Sequence, residues 1–334
     1  MKEAVYYKKI KDKVVQCVLC PRYCIIKENE RGNCGVRVNK QGKLYSLVYG
    51  KPCSAHIDPI EKKPLFHFLP GTNTYSIGTA GCNLHCFYCQ NWSISQCKPE
   101  ELPSLDLPPK KVVEEAVKNN CKSISYTYTE PVGTAAEYVL DTAKIARKKG
   151  IKNIAVSNGF INEKPLKELC KYIDAANIDL KGNAKFYKDV TGARIEPILE
   201  ALKIYKENKV WIEVTNLIVS GYNDNEKEIK KMCLWIKNNL GNIPLHFSKF
   251  FPNYKMMNVK ETPEKILVKA KEIAGKIGLN YVYIGNVFLD KAEDTYCPKC
   301  KELLIERRGF DVLQNRIKNG KCFNCKEKIP GVWD

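Results

Sequence analysis

The stretch that decides the fold is TYSIGTAGCNLHCFYCQNW, residues 74–92. It opens as a β-rich run, TYSIGTA, and continues into three thiols. Cys82, Cys86 and Cys89 are spaced Cys-x3-Cys-x2-Cys, with Tyr88 just before the last. Four thiols would close a tetrahedral zinc or rubredoxin-type site. Three leave a coordination position free. A cubane [4Fe-4S] cluster takes one ligand per iron, so three cysteines leave its fourth iron open to an outside ligand. The plain alternative is a chance grouping of structural thiols.

Working outward, TYSIGTA is the first of seven β-rich runs. The others are SISYTY, NIAVSN, AANIDL, VWIEVTNLIV, PLHFSKF and YVYIG. Between them lie stretches with helical spacing, among them PKKVVEEAVKNN, GTAAEYVLDTAKIARKKG, EPILEALKIYKEN and DNEKEIKKMCLWIKNN. Such alternation predicts an α/β fold of parallel β/α units. Six or seven units suggest a full or partial TIM barrel of (β/α)6 type over residues 71–290. The thiol trio then sits in the first β/α loop, on the face where barrel enzymes build their sites. Glu130, Ser157, Asn158, Asp179, Lys181, Thr215 and His246 fall in or just after later strands and are expected on the same rim. Each has a bland reading. Glu130 is also placed to cap a helix, Asp179 and Lys181 to form a surface ion pair, and His246 to sit in the core.

The chain has 16 cysteines and carries a formal charge of +18. The opening stretch, MKEAVYYKKIKDKVVQC, lacks the apolar core of a signal peptide, and no apolar run approaches a membrane span. The expected location is the cytoplasm, away from membranes. Clustered thiols in a reducing compartment read as metal sites. Thiolates bound to two zinc ions and one cluster would reduce the charge to about +13, still basic. That balance suits an acidic protein or RNA partner, or simply a Lys-rich surface.

Two further cysteine groups flank the central region. In a tail spanning 291–334, Cys297-x2-Cys300 and Cys322-x2-Cys325 form two knuckles of a zinc-ribbon-like site, with zinc the first choice over iron and a structural role. The pair Arg307 and Arg308 gives the only sequence support for docking a partner there. In a Cys-rich N-terminal module spanning 1–70, Cys17, Cys20, Cys24 and Cys34 fit either a second zinc site or an auxiliary [4Fe-4S] cluster. The scattered Cys53, Cys97, Cys121, Cys170 and Cys233 read as ordinary buried residues.

The motif Cys-x3-Cys-x-aromatic-Cys after a first barrel strand resembles the radical S-adenosylmethionine (radical SAM) superfamily. With CVLCPRYCIIKENERGNCGVRVN, DPIEKKPLFHFLPG, SYTYTEP, IDLKG, HFSKFFPNYKM, YIGN and CPKC…GKCFNC…IPGVW, nearly the whole chain is similar to the AmmeMemoRadiSam-system radical enzymes, relatives of the pyruvate formate-lyase activases. The resemblance implies that Cys82, Cys86 and Cys89 ligate a [4Fe-4S] cluster whose open iron binds S-adenosylmethionine. An external donor then reduces it, giving methionine and a 5′-deoxyadenosyl radical that abstracts hydrogen from a substrate. It further implies that Glu130 accepts from the methionyl amine, although Tyr-Thr-Glu stands where the family has Gly-Gly-Glu. Ser157, Asn158, Asp179 and Lys181 would hold the carboxylate and ribose, with His246 a further ribose contact and Tyr88 beside the adenine. The two companion proteins of that system are implied partners. A protein glycyl radical, a small molecule or RNA remain open as targets. A zinc-containing nucleic-acid-binding protein is the competing class.

Overall fold

The computed structural model describes residues 1–334. All seven predicted runs form strands of one eight-stranded sheet. In this sheet β1 is Ser54–Pro59, β2 Asn73–Gly78, β3 Ser123–Tyr126, β4 Lys152–Ser157, β5 Ala175–Asp179, β6 Trp211–Ile218, β7 Leu245–Lys249 and β8 Val282–Gly285. Neighbours in the sheet are neighbours in sequence. Strands β2 to β8 run parallel, and β1 pairs antiparallel with β2 from Ser54 opposite Gly78 to Pro59 opposite Asn73. The sheet therefore draws on residues before 71, because a short turn through Ile60–Lys62 returns β1 alongside β2.

Six helices make the crossovers between the parallel strands: α1 Pro109–Lys118, α2 Ala136–Lys148, α3 Glu163–Cys170, α4 Glu196–Glu207, α5 Glu226–Leu240 and α6 Glu264–Lys276. Each turns an apolar stripe inward, as Val112, Val113 and Ala116 do in α1. The stripes and the strands meet in one core of 69 buried residues. One pocket touches residues of β4 through β8 together with the loop after β2.

The N-terminal module adds two small three-stranded sheets, one of them including a hairpin of Val15–Cys17 against Ile25–Ile26. In the tail, β9 (Leu303–Arg308) and β10 (Asp311–Asn315) form an antiparallel hairpin. Its core, Leu304, Ile305, Cys297, Cys322 and Ile329, closes against Phe66, Tyr281 and Tyr283. Arg307 is buried there and does not offer a basic surface. It donates to the Phe66 carbonyl (2.7 Å) and to Thr295 (2.9 Å), and its guanidinium lies 3.7 Å from Glu61.

Candidate active site

Strand β2 ends at Gly78, and the chain then turns through Gly81 at φ +85° into the thiol loop. Glycine is required there: a Cβ would lie 2.5 Å from the Cys34 carbonyl oxygen. The loop is held from behind by an unforeseen segment. Ala184–Phe186 and a π-type turn at Tyr187–Thr191 follow β5, and their carbonyls accept from the amides of His85 (to Thr191, 3.0 Å) and Phe87 (to Val190, 3.0 Å). Its Phe186 ring packs 5.9 Å from Tyr88.

Cys82, Cys86 and Cys89 line a pocket of about 610 Å³. Tyr88, Ser157, Asn158, Asp179, Lys181, Thr215 and His246 line the same pocket. Lys181 Nζ sits 2.7 Å from the Asp179 carboxylate and 5.8 Å from the centre of the Tyr88 ring. Burial opposes the Lys181 charge, but the Asp179 carboxylate prevails and raises its pKa well above the ordinary value, so the ammonium persists. The Tyr88 hydroxyl is buried without a partner. Burial pushes the Cys86 thiol up to about 11, so a metal must replace that proton before sulfur binds as thiolate near neutrality.

Glu130 lies behind the pocket wall. Its carboxylate accepts from Gly133 N (2.9 Å), Ser157 Oγ (2.8 Å) and Asn158 N (2.6 Å). Pro131 starts a helical turn that Glu130 caps, so the capping reading describes its local role. Through Ser157 and Asn158 it also sets two residues that do face the pocket. Asn158 Nδ2 approaches Cys82 Sγ (3.6 Å) and Asn83 Oδ1 (3.0 Å). His246 stands deeper. Its Nε2 is 2.7 Å from the buried Glu213 carboxylate, which also accepts from the amides of Phe66 and His67.

The stretch DPIEKKPLFHFLPG carried part of the resemblance, but none of its residues was assigned to the site. Glu61, Lys62, Lys63, Pro64 and Phe66 from the turn after β1 line it, as do Glu293 and Phe310 from the other end of the chain. Lys63 Nζ binds Asp58 at 2.6 Å, and Tyr128 donates to the same carboxylate. Burial raises the Glu293 carboxyl to about 7. No local spacing signals these residues, because they meet only through the β1–β2 pairing and the tail's return.

The tail thiols are arranged differently from the trio. Cys297, Cys300, Cys322 and Cys325 are the one group of three or more Cys, His, Asp or Glu side chains whose ligand atoms all lie within 4.8 Å of one another. Two sulfur pairs stand at 3.5 and 3.7 Å. Tetrahedral bonds of 2.3 Å to one ion require about 3.8 Å between sulfurs. The sulfurs of Cys82, Cys86 and Cys89 do not all lie within 4.8 Å of one another.

A family model described as "Radical SAM superfamily" matches residues 76–236. Residues 76–236 form a radical SAM domain. The donor set suits it: three thiols line a pocket that also holds an unpartnered tyrosine hydroxyl and a persistent ammonium. An uncharacterized protein of Methanocaldococcus jannaschii is 49% identical over 335 residues, 99% of this chain and 100% of its own length. Similarity extends to the pyruvate formate-lyase 1-activating enzyme of Escherichia coli, 23% identical over 59% of this chain and 87% of that one. Among solved structures, a radical SAM methyltransferase from Sphaerobacter thermophilus shares the fold at a TM-score of 0.53 and 12% identity, over 65% of this chain and 67% of that one. No helix of this radical SAM chain is long and apolar enough to cross a membrane.

Proposed function

We propose that the pocket is the catalytic site of a radical SAM enzyme of the AmmeMemoRadiSam type, with Cys82, Cys86 and Cys89 holding a [4Fe-4S] cluster. When bound, that cluster supplies one electron to S-adenosylmethionine, releasing methionine and a 5′-deoxyadenosyl radical. The chain's own residues position the cofactor. Lys181, kept charged beside Asp179, suits the methionyl carboxylate, and Asp179 suits ribose hydroxyls. Asn158 steers the Cys82 side of the site and Tyr88 offers a flat, partly polar wall. The observation that carries the reading is the trio on one wall of a pocket that also contains Asp179 and Lys181.

The similarity to activases supports hydrogen abstraction from a protein glycine as the candidate reaction, and the basic charge keeps RNA as a second target. In this reading the tail holds a structural zinc ion, the N-terminal cysteines hold a further metal site, and the protein works in the cytoplasm. It receives electrons from an external carrier and meets the two companion proteins of its system. The test is anaerobic. After reconstitution with iron and sulfide, dithionite and S-adenosylmethionine should yield 5′-deoxyadenosine. The Cys82→Ala/Cys86→Ala/Cys89→Ala variant should yield none while retaining tail zinc. Undiminished cleavage by that variant would sink the assignment.

A further inference from the structure

Cys17, Cys20, Cys24 and Cys34 lie outside the pocket, and spacing alone leaves their metal open between zinc and iron. The fold brings them together. The Val15–Cys17 and Ile25–Ile26 hairpin is extended by a bond from Cys17 N to the Cys24 carbonyl (2.9 Å), so these two residues face each other across the ladder. Cys20 begins the turn between them, with Tyr23 N donating to its carbonyl. Cys34 arrives on a second turn, closed by Gly35 N to the Gly32 carbonyl, and Asn33 N in that turn donates to Cys24 Sγ at 3.4 Å. A Cβ on Gly32, in the same turn, would lie 3.7 Å from Cys24 Sγ.

Their spacing distinguishes them from the tail quartet. No three of these sulfurs lie within 4.8 Å of one another, whereas all four in the tail do. The contracted geometry of a single tetrahedral ion is thus present in the tail and not among the N-terminal thiols. Neither the N-terminal group nor the central trio is contracted in that way. Four thiols gathered on adjoining turns but not contracted onto one ion suit a cubane, in which each sulfur meets its own iron.

The surroundings tie this group to the central loop. The Cys34 carbonyl is the atom that a Cβ on Gly81 would strike, and Gly81 immediately precedes Cys82. Arg22 donates to the Asn83 carbonyl at 3.0 Å. A hydrogen-bonded chain joins sulfur to sulfur. From Cys24 Sγ it passes to Asn33, then His85 (2.8 Å), Gln96 (2.6 Å) and Ser95 (3.1 Å), and ends at Cys89 Sγ (3.3 Å).

We propose that Cys17, Cys20, Cys24 and Cys34 bind a second [4Fe-4S] cluster, directly beside the central one. The choice of iron over zinc goes beyond the functional reading above and does not require it. Anaerobically reconstituted wild type should contain about eight irons, about eight acid-labile sulfides and one zinc per chain. The Cys82→Ala/Cys86→Ala/Cys89→Ala variant should keep about half of that iron and sulfide, with the zinc unchanged. A rubredoxin-type iron in the tail would bring no sulfide, so sulfide identifies the N-terminal site. The proposal is overturned if wild type holds about four irons, whether with two zinc ions or one, or if the variant loses all sulfide. Wild type with about four irons, all lost in the variant, would leave the radical SAM reading standing while this one falls.

Discussion

The Ser157 hydroxyl donates to the Glu130 carboxylate at 2.8 Å, and the amide of the next residue, Asn158, donates to its other oxygen. One buried acid behind the pocket thus sets two side chains on its wall. Burial raises this carboxyl from an ordinary 4.5 to about 7, against three hydrogen bonds that favour the charged form.

That shift has a defined sign. Between pH 4.5 and about 7 the native state keeps a proton that the unfolded chain has released. The group's stabilising contribution is therefore complete below 4.5 and is lost as pH rises through 7. The full change is on the order of 3 kcal/mol. Glu130→Gln removes it, so the stability of the variant relative to wild type should improve by about that amount from pH 4 to pH 8. Chemical denaturation of both proteins at the two pH values measures the difference. A gap that does not move with pH would contradict this account.

Lys181 concerns affinity. Its ammonium is held beside Asp179 and over Tyr88, where a carboxylate ligand would meet a fixed charge. Lys181→Met should weaken S-adenosylmethionine binding about 10- to 100-fold, the loss of one charge-assisted contact. Iron content should not change. Titration of the cofactor against the reconstituted protein reads the affinity, and a slower turnover with intact affinity would argue against the role.

Arg307 concerns the join between the ends of the chain. Its side chain and that of Glu61 are both fully buried, 3.7 Å apart, too far for a hydrogen bond. Burial still raises the Glu61 carboxyl, so the pair compensates its desolvation incompletely. Arg307→Met also removes donors to Phe66, Thr295 and the Glu293 carbonyl. The expected loss is about 3 kcal/mol. Adding Glu61→Gln should restore part of it, because the stranded acid is then gone. Equal losses in the single and double variants would assign the cost to the hydrogen bonds alone.

The contrast between Lys181 and Arg307 shows what the sequence could carry. The strands were legible because each is a short β-rich run bounded by turn residues, and the position after a parallel strand is a chemical address in itself. Cys82, Asp179 and Lys181 sit at such addresses. Arg307 read as part of a basic pair because nothing nearby in sequence announces Glu61, 246 positions earlier. Glu293 and Phe310 were illegible for the same reason. The π-type turn at Tyr187–Thr191 was missed because its role, offering carbonyls to the thiol loop, leaves no periodic trace.

The tail metal tests the remaining contact. Sulfurs at 3.5 and 3.7 Å in a small β core predict one tightly held zinc ion. Cys322→Ser should release it, because three thiols and a hydroxyl bind far more weakly. A tail with few apolar residues of its own would depend on that ion for its folding. Its contacts with Phe66, Tyr281 and Tyr283 should then loosen and expose residues 291–334 to protease. The loop carrying Cys82, Cys86 and Cys89 is held instead by the segment after β5, so iron content should stay at the wild-type level. Zinc and iron counted on one sample, with limited proteolysis beside them, give the result. Loss of iron together with zinc would show that the tail supports the thiol loop after all.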